Sequence, residues 1–290
     1  MHPLTASPMP PHIDANTVPV ARRTLVTGMA SSAIAATPAA GRGSQPPSTA
    51  PASGGAAPSP GRGTERIALL IYPGFTALDL FGPHNMLAGL RPARMDLVAA
   101  TREPVVTDTG ISVLPSATFA DIAPELDLLF VPGGSLGTLA AMKNSALLEF
   151  VALQGAASRF VTSVCTGSLV LGAAGLLRGY RATTHWAAMD ALAPFGATAV
   201  GERVVADRNR ITGAGVSAGL DFGLQLVAMF RDRTYAERVQ LAGEYDPQPP
   251  FDAGSPAKAA PESLAYLRTH YASFVTEALR IGRASGMAPG

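Results

Sequence analysis

Residues 159–177 read RFVTSVCTGSLVLGAAGLL and contain the only cysteine of the chain, Cys165. Phe160, Val161, Thr162 and Val164 are apolar or β-branched, the composition of a short buried strand. Cys165 follows directly, and Thr166, Gly167 and Ser168 then open an Ala/Leu-rich run to Leu177 that predicts a helix. A strand that becomes a helix within one or two residues exposes the turn residue at the C-terminal edge of a sheet. That is the geometry of a nucleophile elbow, often strained. It also sets the sulfur at a helix N-terminus, where free N–H groups and the macrodipole favour a thiolate. Two plainer readings compete. An isolated cysteine is more often a buried small hydrophobe, and residues 160–177 carry no charge over 18 residues, long enough for a membrane span. Three glycines, the Thr and Ser content and the strand-like first half favour a buried strand-helix pair instead.

The 290 residues are 47% hydrophobic and 15% charged with net charge +1, which predicts one sizeable globular domain and argues against electrostatic binding of nucleic acid. A single cysteine excludes an intramolecular disulfide and a cysteine-based structural zinc site. Residues 1–63 have a different texture. GRGSQPPSTAPASGGAAPSPGRG, residues 41–63, has the composition of a disordered, flexible linker. Upstream, Arg22-Arg23 precedes the mildly apolar, uncharged residues 27–40, which end in small residues. This pattern resembles a bacterial twin-arginine (Tat) export signal, and it predicts a periplasmic or secreted protein that does not insert in the membrane. If the extension is not a signal, the protein is cytoplasmic.

From residue 64 the chain alternates. IALLIY (67–72), MDLVAAT (95–101) and LDLLFV (126–131) are apolar runs of the kind that parallel strands show, with a helical stretch (76–90) and a small hairpin (105–114) between them. Helical composition follows at 135–142 and 146–158, then comes the Cys165 unit. A short strand (181–184), a helix (185–195), two strands about the turn Asp207-Arg208-Asn209 and helices at 216–231, 235–245 and 261–281 complete the chain. Strands alternating with helices over residues 64–290 predict an α/β doubly wound sandwich, a mostly parallel sheet with helices on both faces.

In such sheets function gathers beyond the strand C-termini. Asp79 lies there among Ala77, Leu78, Leu80 and Phe81, so desolvation should raise its pKa. Gly133 and Gly134 after Pro132 permit close approach of backbone N–H groups. A free thiol titrates near about 8.5, and a helix terminus supplies at most about 2 kcal/mol, which would bring Cys165 to about 7. An ionised Asp79 would push it back up. The combination works best with Asp79 protonated and donating a hydrogen bond to the sulfur. Gly213, Gly215 and Gly219 are spaced GxGxxxG, which misses the dinucleotide fingerprint and predicts a tight helix start that lines the pocket. Asp221 and Glu244 read as caps or surface charges. His2, His12, His84 and His270 show no metal-ligand spacing, and no metal or organic cofactor is expected.

YPGFTALDLFGP, LLFVPGG, VTSVCTGSLVLGAAGLLRGYRATTHW, ITGAGVSAGLDFGLQL and LAGEYDPQPPFDAGSP, in that order, resemble the DJ-1/PfpI superfamily. The isonitrile hydratase-like branch is the most similar, and the likeness covers about residues 66–281. It implies a flavodoxin-like sandwich, a homodimer, and hydration of a small-molecule isonitrile to an N-substituted formamide. The residues needed for that reaction fall on Asp79, Cys165 and Thr166, with Gly134 N–H and Thr166 N–H as oxyanion donors. The thiolate and a proton from Asp79 would add to the terminal carbon to give a thioimidate. Water activated by the Asp79 carboxylate would then release the formamide. Thr166 stands where the protease-like branch has histidine, so a Cys-His dyad is not expected. Gly133, His185 and Trp186 match positions near the pocket. The same domain also occurs as the ligand-sensing half of AraC-type regulators, and glyoxalase or redox-responsive DJ-1 relatives share the cysteine. Residues 261–290 leave no room for the helix-turn-helix motifs of the regulators, so DNA binding is not expected.

Overall fold

The computed structural model describes residues 64–286. The twin-arginine pair and the Pro/Gly-rich stretch before residue 64 lie outside the described residues.

The apolar runs form the middle of the sheet. Strands β1 (Arg66–Leu70), β2 (Arg94–Ala99), β5 (Ala117–Thr118), β6 (Leu128–Val131), β7 (Phe160–Val164), β10 (Val204–Asp207) and β11 (Arg210–Gly213) join in the order β10-β11-β7-β6-β1-β2-β5. Every pairing is parallel except β10 with β11, the hairpin around Asp207, Arg208 and Asn209. All residues of β6 and β7 are buried, which is why their sequences, apart from Ser163, are apolar or β-branched rather than alternating. Two small pairs stand outside this sheet: β3 (Val105–Val106) with β4 (Ser112–Val113), antiparallel, and β8 (Arg181–Ala182) with β9 (Thr198–Ala199), parallel.

Helices flank the sheet in two packed groups. Helix α1 (Ala77–Leu87) packs on α5 (Ala218–Phe230), which carries α6 (Arg233–Ala242). The α1–α5 crossing is close because Gly219 and Gly223 face Pro83 and Met86, where an added Cβ would stand 2.9 Å and 2.8 Å from the nearest side-chain atom. In the other group α2 (Ser135–Ala141), α3 (Ser145–Ala157) and α4 (Gly167–Ala173) are joined by α7 (Pro261–Ala284), which lies on a 3-10 segment, Trp186–Phe195.

Two of the expected helices differ from expectation. The helix after Cys165 ends at Ala173 rather than Leu177, and Gly175 turns the chain with φ +78°. Residues 186–195 are 3-10 rather than α-helical, with Pro194 removing a backbone donor near its end. The uncharged residues 160–177 are a buried strand, a helix and a turn. Among the described residues no single helix is long and apolar enough to cross a membrane.

Candidate active site

The C-terminal ends of β1, β6, β7 and β11 share one edge of the sheet, and the chemistry gathers above them. Cys165 leaves β7 with φ +55°, a left-handed conformation that costs a non-glycine residue roughly 1–2 kcal/mol. Its backbone is held from several sides. The N–H donates to Gly213 O at 3.0 Å and Ala214 O at 3.1 Å, and the carbonyl accepts from Thr184 Oγ1 at 3.0 Å and Ser168 Oγ at 3.2 Å. The strain is therefore carried by the neighbours of the elbow, and the side chain is aimed by that frame. Cys165 is 6% exposed and opens on a cavity of about 160 Å³ walled by Asp108, Thr166, His185, Val216, Tyr271 and Phe274, among others.

Asp79 is fully buried in the first turn of α1. Its Oδ2 accepts the Gly133 N–H at 3.0 Å, while Oδ1 is buried with no hydrogen bond of normal geometry. Burial pushes the carboxyl up from 3.8 to about 7, against the opposing pull of Cys165 and the Gly133 N–H, with the Asp108 charge adding to the rise. This is the direction expected from its apolar surroundings. Cys165 departs from expectation. Its thiol is pushed well above its ordinary value, first by burial and then by the Asp79 charge, and the N–H groups of Thr166 and Val216 only partly offset this. The helix terminus was expected to bring it to about 7. A short helix opening beside a sulfur that is almost fully buried does not outweigh the loss of water around it. The two groups therefore titrate as a pair that resists carrying two negative charges. A proton on Oδ1 gives that orphaned atom a role as donor to the sulfur.

Gly133 is where the acid, the loop and the elbow converge. A Cβ there would stand 2.6 Å from Thr166 N and 2.8 Å from both Asp79 Oδ2 and Thr166 Oγ1. The expected oxyanion donors are engaged differently. Gly134 N–H donates to Thr166 Oγ1 at 3.1 Å, and Thr166 N–H serves the sulfur. Thr166 Oγ1 also lies 2.7 Å from Thr138 Oγ1 in a buried hydroxyl network that reaches Tyr72. Among the described residues the backbone donors on the sulfur are Thr166 and Val216.

His185 lies on the cavity wall, its Nδ1 accepting the Ala187 N–H at 3.3 Å and its ring set against Gly215. Burial lowers its pKa. His185 and Val216 also line a larger cavity of about 670 Å³, together with Trp186, Met189, Leu78 and Arg203. Trp186 lines the larger cavity and is absent from the wall of the smaller one. Sequence reasoning missed Asp108, Tyr271, Phe274 and Val216. Val216 sits inside the glycine-rich loop already noted, and Asp108 in the hairpin turn. Tyr271 and Phe274 carry no local signal, because only the docking of α7 brings them to a cysteine more than 100 residues away.

Known proteins are similar to this chain in sequence and fold. The DJ-1/PfpI family profile matches residues 65–229. The isonitrile hydratase of Pseudomonas putida is 48% identical over 194 residues, 67% of this chain and 84% of that protein. The HTH-type transcriptional regulator GbdR of Pseudomonas aeruginosa is 30% identical over 191 residues, 63% of this chain and 51% of the regulator. Among solved structures, a THiJ/PfpI family protein from Pseudomonas syringae superposes with a TM-score of 0.75 at 52% identity, covering 76% of this chain and 91% of that one. With its elbow cysteine and its mostly parallel sandwich, this chain belongs to the DJ-1/PfpI family.

Proposed function

We propose that the protein is a cofactor-independent enzyme that hydrates an isonitrile, R–N≡C, to the N-substituted formamide. One observation carries the reading. A buried carboxyl with its pKa raised to about 7 lies behind a cysteine held on a strained turn, and the sulfur faces a small cavity. Isonitrile chemistry needs an acid and a nucleophile on the same carbon. Asp79 gives its proton to the terminal carbon, the Cys165 sulfur bonds to that carbon, and a thioimidate results. Water adds to the thioimidate carbon, and the C–S bond breaks to release the formamide and return the thiolate. The substituent R extends past His185 and Val216 into the larger cavity, whose Trp186, Met189 and Leu78 offer apolar contact. The 48% identity to an isonitrile hydratase supports this substrate class.

The test is turnover of cyclohexyl isocyanide by the purified protein, followed as formamide release, beside loss of methylglyoxal. Formamide release that disappears in Cys165→Ala is the expected result. Turnover of the carbonyl alone would reject the assignment in favour of a DJ-1-like activity, and turnover of neither would favour a sensing role.

A further inference from the structure

Hydration needs a group to accept a proton from the incoming water, and Asp79 is poorly placed for it. Its carboxyl is fully buried behind the elbow and is not part of the cavity wall. A carbon bonded to the sulfur comes close to that carboxyl, but water arrives from the cavity side. The titratable side chains on the wall are Cys165, Asp108, His185 and Tyr271. Cys165 is occupied as the nucleophile. His185 uses its Nδ1 lone pair on Ala187 N–H, so the neutral ring carries its proton on Nε2 and can only donate towards the cavity. Tyr271 is held above its ordinary range, first by burial and then by the Cys165 charge, and so keeps its phenol proton. Asp108 remains.

Its position is built rather than accidental. Thr76 Oγ1 donates to Asp108 Oδ2 at 2.6 Å, and Asp108 N–H donates to Phe75 O at 3.0 Å. Gly74 N–H donates to Val106 O at 2.8 Å, which ties the hairpin carrying Asp108 to the loop after β1. The Thr76 hydroxyl engages Oδ2 and leaves the lone pairs of Oδ1 for water.

We infer that Asp108 is the general base of the second half-reaction, taking a proton from the water that attacks the thioimidate on Cys165. The inference rests on the hydration reading given above. The water oxygen bonds to the thioimidate carbon while one water proton passes to Asp108. The C=N π pair moves onto nitrogen, which takes that proton back from Asp108. The hydroxyl proton then goes to Asp108 as the carbonyl forms and the C–S pair returns to sulfur, and once the formamide has left, that proton passes through the cavity to the Asp79–Cys165 pair. Both carboxyl groups are reset, and the sum is addition of one water.

The experiment is rapid mixing with cyclohexyl isocyanide, acid quenching and intact-mass measurement. Wild type, Asp108→Asn and Asp79→Asn are compared. In Asp108→Asn the covalent adduct should form at the wild-type rate and accumulate, with steady-state turnover down roughly 10²-fold or more. In Asp79→Asn no adduct should form. Two outcomes overturn the inference: adduct decay in Asp108→Asn as fast as in wild type, or slowing confined to adduct formation. The second would mean that the Asp108 charge acts only on the proton affinity of Asp79. A wild-type protein with neither adduct nor turnover would instead refute the hydration reading itself.

Discussion

Asp79 couples chemistry to stability through one proton. Its folded pKa of about 7 lies above the ordinary 3.8, so the folded state binds the proton more tightly than the unfolded chain does. The associated stability is fully present below the ordinary value and is lost as pH rises through about 7. From 3.8 to about 7 the difference amounts to at most about 4 kcal/mol. Asp79→Asn cannot ionise. It should therefore be more stable than wild type at pH 8 by up to that amount, and the gap should close near pH 4. Urea denaturation at the two pH values measures this, and an equal gap at both would show that Asp79 ionises freely in the fold. The same proton shapes the rate. Turnover should rise through about pH 7 as the Asp79–Cys165 pair gives up its first proton, and fall at higher pH when it gives up the second. The residues of this pair were legible in the sequence because both sit in short, self-contained signals: a carboxylate inside an apolar segment, and a cysteine between a strand and a helix. The thiol's own pKa was not. It depends on how much water the packing around the sulfur excludes, and local sequence does not report that.

At the scale of elements, α7 decides how closed the cavity is. Phe274 is 7% exposed and Ala278 is fully buried, and Gly282 lets the helix settle on the 3-10 segment, where a Cβ would stand 2.8 Å from Pro194 Cβ. Phe274→Ala should cost about 3 kcal/mol through the void it leaves. It should also admit water to the sulfur, lower the thiol pKa and speed alkylation by iodoacetamide at fixed pH. A lower melting temperature without faster alkylation would mean that α7 supports the core but does not seal the site. The helix itself was legible from its composition, as were the hairpin of β3 and β4 and six strands of the seven-stranded sheet. The two-residue strands β5 and β9 were not, because two residues show no period and neither has the turn signal Asp108-Thr109-Gly110 that marks β3 and β4. The 3-10 character of residues 186–195 also went unread, since their apolar composition suits either helix type.

For the whole molecule, the strand order brings together segments that are far apart in sequence: Asp79 after β1, Gly133 after β6, Cys165 after β7 and Val216 after β11. The homodimer implied by the family resemblance and Tat-directed export are proposals at this scale. Light scattering should give twice the chain mass, and the mass of a single chain would dismiss the dimer. Cell fractionation should find the protein exported, with retention inside when Arg22 and Arg23 are replaced by lysines. Export unchanged by that replacement would dismiss the twin-arginine route. By itself the sequence determined the α/β class, the parallel centre of the sheet, the elbow cysteine and the buried acid, because each is written in a contiguous run whose period or composition is imposed by local geometry. Only the tertiary structure decided which backbone donors serve the sulfur, that Gly134 turns to Thr166 Oγ1, and that Asp108, Tyr271 and Phe274 wall the cavity. Those facts arise from the meeting of separate elements, and the meeting is set by packing rather than by any one segment.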